Sequence, residues 1–120
     1  MVTKQEELRD RAKRFAISIV KLFRLLPKTD EARIIGKQLL RSATSVAANY
    51  RAAGRSRSRA EFISKICTVV EEADETVFWL EMLSDSEIVR KKEIEPFLAE
   101  ANELLAIFAA SQRTAKANRG

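Results

Sequence analysis

Four guanidinium groups, those of Arg51, Arg55, Arg57 and Arg59, fall within nine residues of one another with no carboxylate between them. Arginine offers a planar fork of donors that stays charged at any working pH, so a cluster of this kind suits phosphate oxygens, or the carboxylates of a partner protein. Lys37 and Lys65 are further candidates for the same nucleic-acid-binding surface. Phosphate contacts position a polynucleotide without reading its bases, and Tyr50 is the one aromatic beside the cluster. Binding of RNA or DNA by these groups is therefore expected to be strongly salt-dependent and weak in sequence preference.

The wider charge pattern is as lopsided as the cluster. Residues 1–60 hold fifteen Lys+Arg and five Asp+Glu, and residues 61–120 hold seven and twelve, so a formal +10 is followed by a formal −5. No acid occurs between Ala32 and Ala60. Three arrangements fit such an imbalance: a solvated basic face, a nucleic-acid surface, or two halves or subunits that meet with complementary charge.

A second polar set precedes the arginines. Arg41, Ser42, Ser45 and Asn49 gather on one side of a helix at three- and four-residue spacings, which lets them form a hydrogen-bond network with acids of a neighbouring helix. An arginine buried there must be paired, and Glu72 or Glu75 is the natural partner. A structural role in the bundle or at a subunit seam and a direct ligand-contacting role both stay open for this set.

Catalytic constellations are missing from the sequence. Glu71, Glu72, Asp74 and Glu75 have the density of a carboxylate metal site, but bundle di-metal sites add Glu-x-x-His motifs and this chain has no histidine. A solvated acidic helix face is the expectation, with no metal and no cofactor. Neither a GxxxxGK[ST] loop nor a GxGxxG is present, and Cys67 lacks the histidine that usually activates a cysteine nucleophile. One cysteine excludes a disulfide within the chain and reads as a small core residue in a reducing compartment. No apolar run reaches membrane-spanning length, and MVTKQEELRDRAKR is too charged for a signal peptide. The expectation is a cytoplasmic non-enzyme without a membrane partner.

These groups need helices to position them. Leu8, Ala12, Phe15, Ile19, Leu22 and Leu26 alternate spacings of four and three, which predicts a helix from about Lys4 to Leu26, stopped by Pro27. Thr29 as N-cap opens a second helix with Ile35, Leu39, Val46 and Tyr50 inside, ending near Ala53 with Gly54 free to turn left-handed. Ser58 and Glu61 form a capping-box pattern before a third helix, whose apolar sector is doubled by Ile63, Cys67, Val70 and Val77 and so is wide enough for two neighbours. After a break at Ser84–Ser86, a short helical turn through Ile88 and Val89 precedes a last helix from about Glu93, with Pro96 in its first turn and a frayed tail after about Ala115. Four amphipathic helices with short connections and no strand signal predict an all-α, up-down-up-down four-helix bundle in one domain spanning residues 1–120, ordered over about 4–115. Phe78 and Trp79 lie beyond the main seam, a surplus of apolar surface that predicts self-association.

The motif Q-x-x-R-x-A-x-S-V-x-x-N, carried by Gln38, Arg41, Ala43, Ser45, Val46 and Asn49, follows a Leu26-Pro27-Lys28 turn and precedes a Glu61-Phe62 pair and the acid at Glu75. In these features, from about Arg11 to Phe108, the chain resembles the bacterial four-helix-bundle family encoded in intervening sequences of 23S rRNA genes. That family is similar in turn to the accessory variability protein of diversity-generating retroelements. The resemblance implies a four-helix bundle assembled into a homopentamer, and through the retroelement relative it implies RNA or DNA and a reverse transcriptase as partners; for most members no function is established. The usual I-A-E-G after the asparagine is replaced by Tyr50, Arg51, Ala52 and Ala53. A role that needs that glutamate does not carry over, while the added arginine makes the turn more basic.

Overall fold

Three of the four helices begin where a hydroxyl serves their first free amides. The computed structural model, which describes residues 1–118, contains α1 (Lys4–Leu25), α2 (Asp30–Ala53), α3 (Arg59–Asp85) and α4 (Lys91–Ala117). Thr3 caps α1 through a reciprocal capping box, its hydroxyl accepting from the Glu6 amide at 3.0 Å while the Glu6 carboxylate accepts from the Thr3 amide at 3.2 Å. Thr29 accepts from the Ala32 amide at 3.3 Å, and Ser58 from the Glu61 amide at 3.1 Å. α4 has no side-chain cap and starts at Lys91, two residues before the expected Glu93, because the Arg90 carbonyl already accepts from the amides of Glu93 and Ile94. Pro96 consequently sits in the second turn, outside the part of a helix that has no amide bond to lose. Its exposed position lets water reach the carbonyl it leaves unbonded.

The helix ends depart from expectation in three places. Gly54 is right-handed (φ −65°, ψ −16°), because the chain tightens into successive turns, Arg55 bonding back to Ala52 and Ser56 to Ala53, rather than reversing. No helical turn forms at Ile88 and Val89; α3 closes through Ser86, Glu87 takes a left-handed φ of 62°, and the Val89 amide bonds the Leu83 carbonyl at 3.1 Å. Helix also continues past Ala115 to Ala117, held by a bond from Arg59 to the carbonyl of Asn118. Arg119 and Gly120 of the expected frayed tail lie outside the described residues.

α3 is the central helix. Its seam residues Ile66, Val69, Ala73, Leu80 and Leu83 are buried, and its second stripe is used on the other flank, where Ile63 and Val77 are buried and Cys67 receives Gln112 of α4. α2 packs between α3 and α1, but α1 and α4 meet only sparsely, so the bundle is elongated and flattened, 49 × 29 × 21 Å. Ion pairs span that thin seam: Arg11 binds Glu100 through two nitrogens at 2.8 and 2.6 Å and Glu103 at 3.0 Å. At the opposite flank α1 and α2 approach closely, since a Cβ on Gly36 would lie 2.7 Å from Leu26 Cδ1 and 3.1 Å from Phe23 Cδ1. That contact explains a glycine inside a helix, where it costs roughly 1 kcal/mol against alanine.

Candidate nucleic-acid interface

Alternating helix direction collects the start of α1, the end of α2, the start of α3 and the end of α4 at one pole of the bundle. Arg51 stands in the last turn of α2, Arg55 and Arg57 in the connecting turn, and Arg59 at the first position of α3, all four exposed. Among the described residues, Arg51, Arg55 and Arg57 make no ion pair. The Arg59 guanidinium donates to the Asn118 carbonyl at 2.9 Å, so part of its donor set caps α4. Fixed positive charge at a helix C-terminus complements the macrodipole, a second reason for that placement.

Acids temper this pole, Glu6 and Glu7 in the first turn of α1 and Glu61 in that of α3. Glu6 borders a hollow of about 100 Å³ with Arg9, Arg51 and Arg55, and the amide and hydroxyl of Thr3 hold its carboxyl below the usual carboxylate range. Arg9 is drawn toward Asp10 at 3.0 Å. Ser56 Oγ, in the arginine turn, is enclosed with no hydrogen-bond partner among the described residues. Lys65 stands half-buried on α3, about 9 Å along the helix from Arg59 at 1.5 Å per residue. Lys37 is not brought to this pole: fourteen residues before Arg51 on α2, it lies about 21 Å up the helix, near Pro27, Lys28 and Arg33 at the other end.

The second polar set divides into two parts. Arg41 reaches across from α2 to α3 and binds Glu72 at 2.9 Å and Glu75, which also accepts from the Trp79 indole at 3.0 Å. The indole and the guanidinium together hold the Glu75 carboxyl below its ordinary range, and Glu75 and Glu72 raise the Arg41 guanidinium. Beneath them, Ser42 Oγ donates to the Leu39 carbonyl at 3.1 Å, and Thr76 Oγ1 sits 3.0 Å from Ser42 Oγ and 2.8 Å from the Glu72 carbonyl, so both buried hydroxyls have acceptors. Asn49 instead donates to the carbonyl and hydroxyl of Ser45, both at 2.9 Å, and joins neither Glu72 nor Glu75. The single expected network is thus a cross-helix cluster and a separate pair one turn and more away. Arg41 is also not buried: its side chain is 48% exposed, because its length carries the guanidinium out to the rim of the seam.

Sequence reasoning missed the polar roles of Thr76 and of Trp79, the latter read as surplus surface. The signal for both was available in the four-residue steps from Glu72 to Thr76 and from Glu75 to Trp79. The Arg11 pairs had no such signal, since Glu100 is eighty-nine residues away. Among the described residues no group of three His, Cys, Asp or Glu side chains is placed to hold a metal ion. Cys67 Sγ accepts from the Gln112 amide at 3.2 Å, a contact that supplies no base. No helix among the described residues is long and apolar enough to cross a membrane. What the arginine pole can do chemically is offer permanent positive charge to phosphate or carboxylate.

A family model described as 23S rRNA-intervening sequence protein matches residues 4–110. Among solved structures, the chain is similar to a protein of unknown function from the S23 ribosomal protein family of Bacteroides thetaiotaomicron, with 32% sequence identity and a TM-score of 0.85 over 92% of this chain and 99% of that one. No curated protein matches.

Proposed function

The chain belongs to the 23S rRNA-intervening sequence protein family, and on that premise we propose that it is a non-catalytic, homo-oligomeric accessory protein whose arginine pole binds RNA or DNA backbone with little sequence preference. The observation that carries this reading is the set of exposed arginines gathered at one end, three of them without an acidic partner among the described residues. Four guanidinium groups per subunit, repeated around a homopentamer, turn weak single contacts into useful avidity. The resemblance to the retroelement accessory protein adds a reverse transcriptase as a candidate protein partner, and action on RNA or DNA fits a cytoplasmic protein.

The adaptor reading has its own support. Ile34 and Phe78 are 65% and 49% exposed, and they belong to the two helices that carry the Arg41 cluster. Apolar exposure beside a ready set of charge pairs is how a self-association surface is built. In this reading the ring is a platform for another protein and nucleic acid plays no part.

Replacing Arg55 and Arg57 together by glutamine separates the two. Phosphate binding predicts that affinity for unrelated RNAs falls about equally and that the slope of log affinity against log salt flattens by roughly 0.7 to 0.9 per lost contact. Filter binding at several salt concentrations, with the mass in solution measured in parallel, reads both. An intact assembly with unchanged affinity removes these arginines from the interface; a loosened assembly assigns them to pairing between subunits.

A further inference from the structure

α4 outruns α1. Arg11 stands opposite Glu100 and Glu103, and with both helices rising 1.5 Å per residue in opposite directions, Thr3 reaches only to about the level of Ala109. α4 runs on to Ala117, so roughly two turns of it project beyond the first residue of α1. The stripe Glu100, Glu103, Ile107, Ser111 and Thr114 keeps three- and four-residue spacing throughout, so the side of α4 that faces α1 at Arg11 continues along the projection with no α1 beside it.

An open groove of about 700 Å³ occupies that place. It is lined by the half-buried Phe62 of α3 and Ile107 and Ala115 of α4, and by the exposed Ala110, Arg59 and Thr114. α3 also projects here, since Arg59 reaches the carbonyl of Asn118. Two antiparallel helices with small residues on one wall form the trough. The charge near it is mainly positive: Arg59 lines it, α4 has no acid after Glu103 but carries Arg113 and Lys116, and Arg55 and Arg57 lie in the turn leading into α3, while Glu6 and Glu7 stand in the first turn of α1. Glu61 at the start of α3 is the nearest exception in sequence.

We infer that this groove is a docking site for a short amphipathic helix of a partner protein, apolar on one face and acidic on its flanks, which lies along α3 and α4 as a continuation of α1. The apolar lining supplies helix-in-groove contacts and the basic surroundings select the sign of the flanks. A nucleic acid is less well matched to the groove itself, because its phosphates find arginines as readily outside a trough as inside one. This inference does not rest on RNA or DNA binding and survives its failure.

The test uses the full-length protein and two fluorescein-labelled synthetic peptides of three to four turns, identical in their leucine face and carrying either glutamate or lysine elsewhere. Fluorescence anisotropy is expected to show at least tenfold tighter binding of the glutamate peptide. Ala110→Trp fills the groove and Thr114→Glu places an acid in its lining; both positions are exposed, so both variants are expected to keep the parental thermal midpoint and to bind the glutamate peptide at least tenfold more weakly. Equal binding of the two peptides, or glutamate-peptide binding that Ala110→Trp leaves unchanged, overturns the proposal. Loss of oligouridine binding, or a changed assembly mass, in Ala110→Trp while the peptide does not bind assigns the groove to nucleic acid or to a second copy, and overturns it as well.

Discussion

Replacing Arg11 by methionine and Glu100 by glutamine, singly and together, measures the latch across the α1–α4 seam. The pair is bidentate and its side chains are 28% and 33% exposed, between a surface ion pair worth roughly 0.2–1 kcal/mol and a shielded charge-assisted hydrogen bond worth about 1.5–3 kcal/mol. A coupling energy of about 1–1.5 kcal/mol is expected at pH 7 from urea unfolding of the four proteins. For a chain of this length that corresponds to a midpoint shift of about 3–6 °C for each kcal/mol. The hydrogen bond from Arg11 lowers the Glu100 carboxyl below its ordinary value. A carboxyl depressed in the folded state stabilises above its unfolded pKa, about 4.3, and loses that contribution as pH falls through the folded value. The coupling should accordingly shrink as the cycle is repeated at successively lower pH below about 4.3, and vanish once the carboxyl is protonated. A coupling below about 0.3 kcal/mol at pH 7, or one that survives full protonation, refutes the reasoning.

Two further substitutions test local geometry. Glu87 holds a left-handed φ of 62°, so Glu87→Gly should raise stability by about 0.5 kcal/mol, the relief of side-chain strain exceeding the added backbone entropy; a loss on chemical denaturation contradicts this. Arg41→Met should cost only about 0.5–1 kcal/mol because the guanidinium is half exposed, yet it should change the emission of the chain's one tryptophan, Trp79, whose indole shares Glu75 with Arg41. Unchanged emission would mean that the cluster does not exist in solution.

The helices were legible because their signals are local. The four-three stripes, the oxygen caps at Thr29 and Ser58, and Pro27 each act within a turn or two, and the resulting elements match to within one residue for α1 and α2, while α3 runs two residues into the expected break, to Asp85. The start of α4 was missed for the same reason: Arg90 offers no capping side chain, so nothing local marks it. Gly54 stays right-handed and Glu87 takes the left-handed conformation because the handedness of a turn follows from where the next helix must pack, which composition does not express. At the candidate interface the arginine cluster was legible as a run, whereas the exclusion of Lys37 depends on helix direction and the capping role of Arg59 on the distant Asn118. The division of the second polar set likewise rests on rotation about α2, where Arg41 faces α3 and Asn49 turns back upon Ser45.

The thin seam between α1 and α4 sets an order of local opening. α1 is an outer layer packed mainly on α2 and sparsely on α4, with its ion pairs to α4 at Arg11, whereas α3 is enclosed on two flanks. Regions with few buried contacts open at lower free energy than the whole molecule unfolds. Amide protons of α1 therefore exchange with solvent through excursions that leave α2, α3 and α4 folded, and those of α3 wait for global unfolding. The molecule carries a detachable edge and a permanent centre, with the Arg11 carboxylate pairs as the clasp between them.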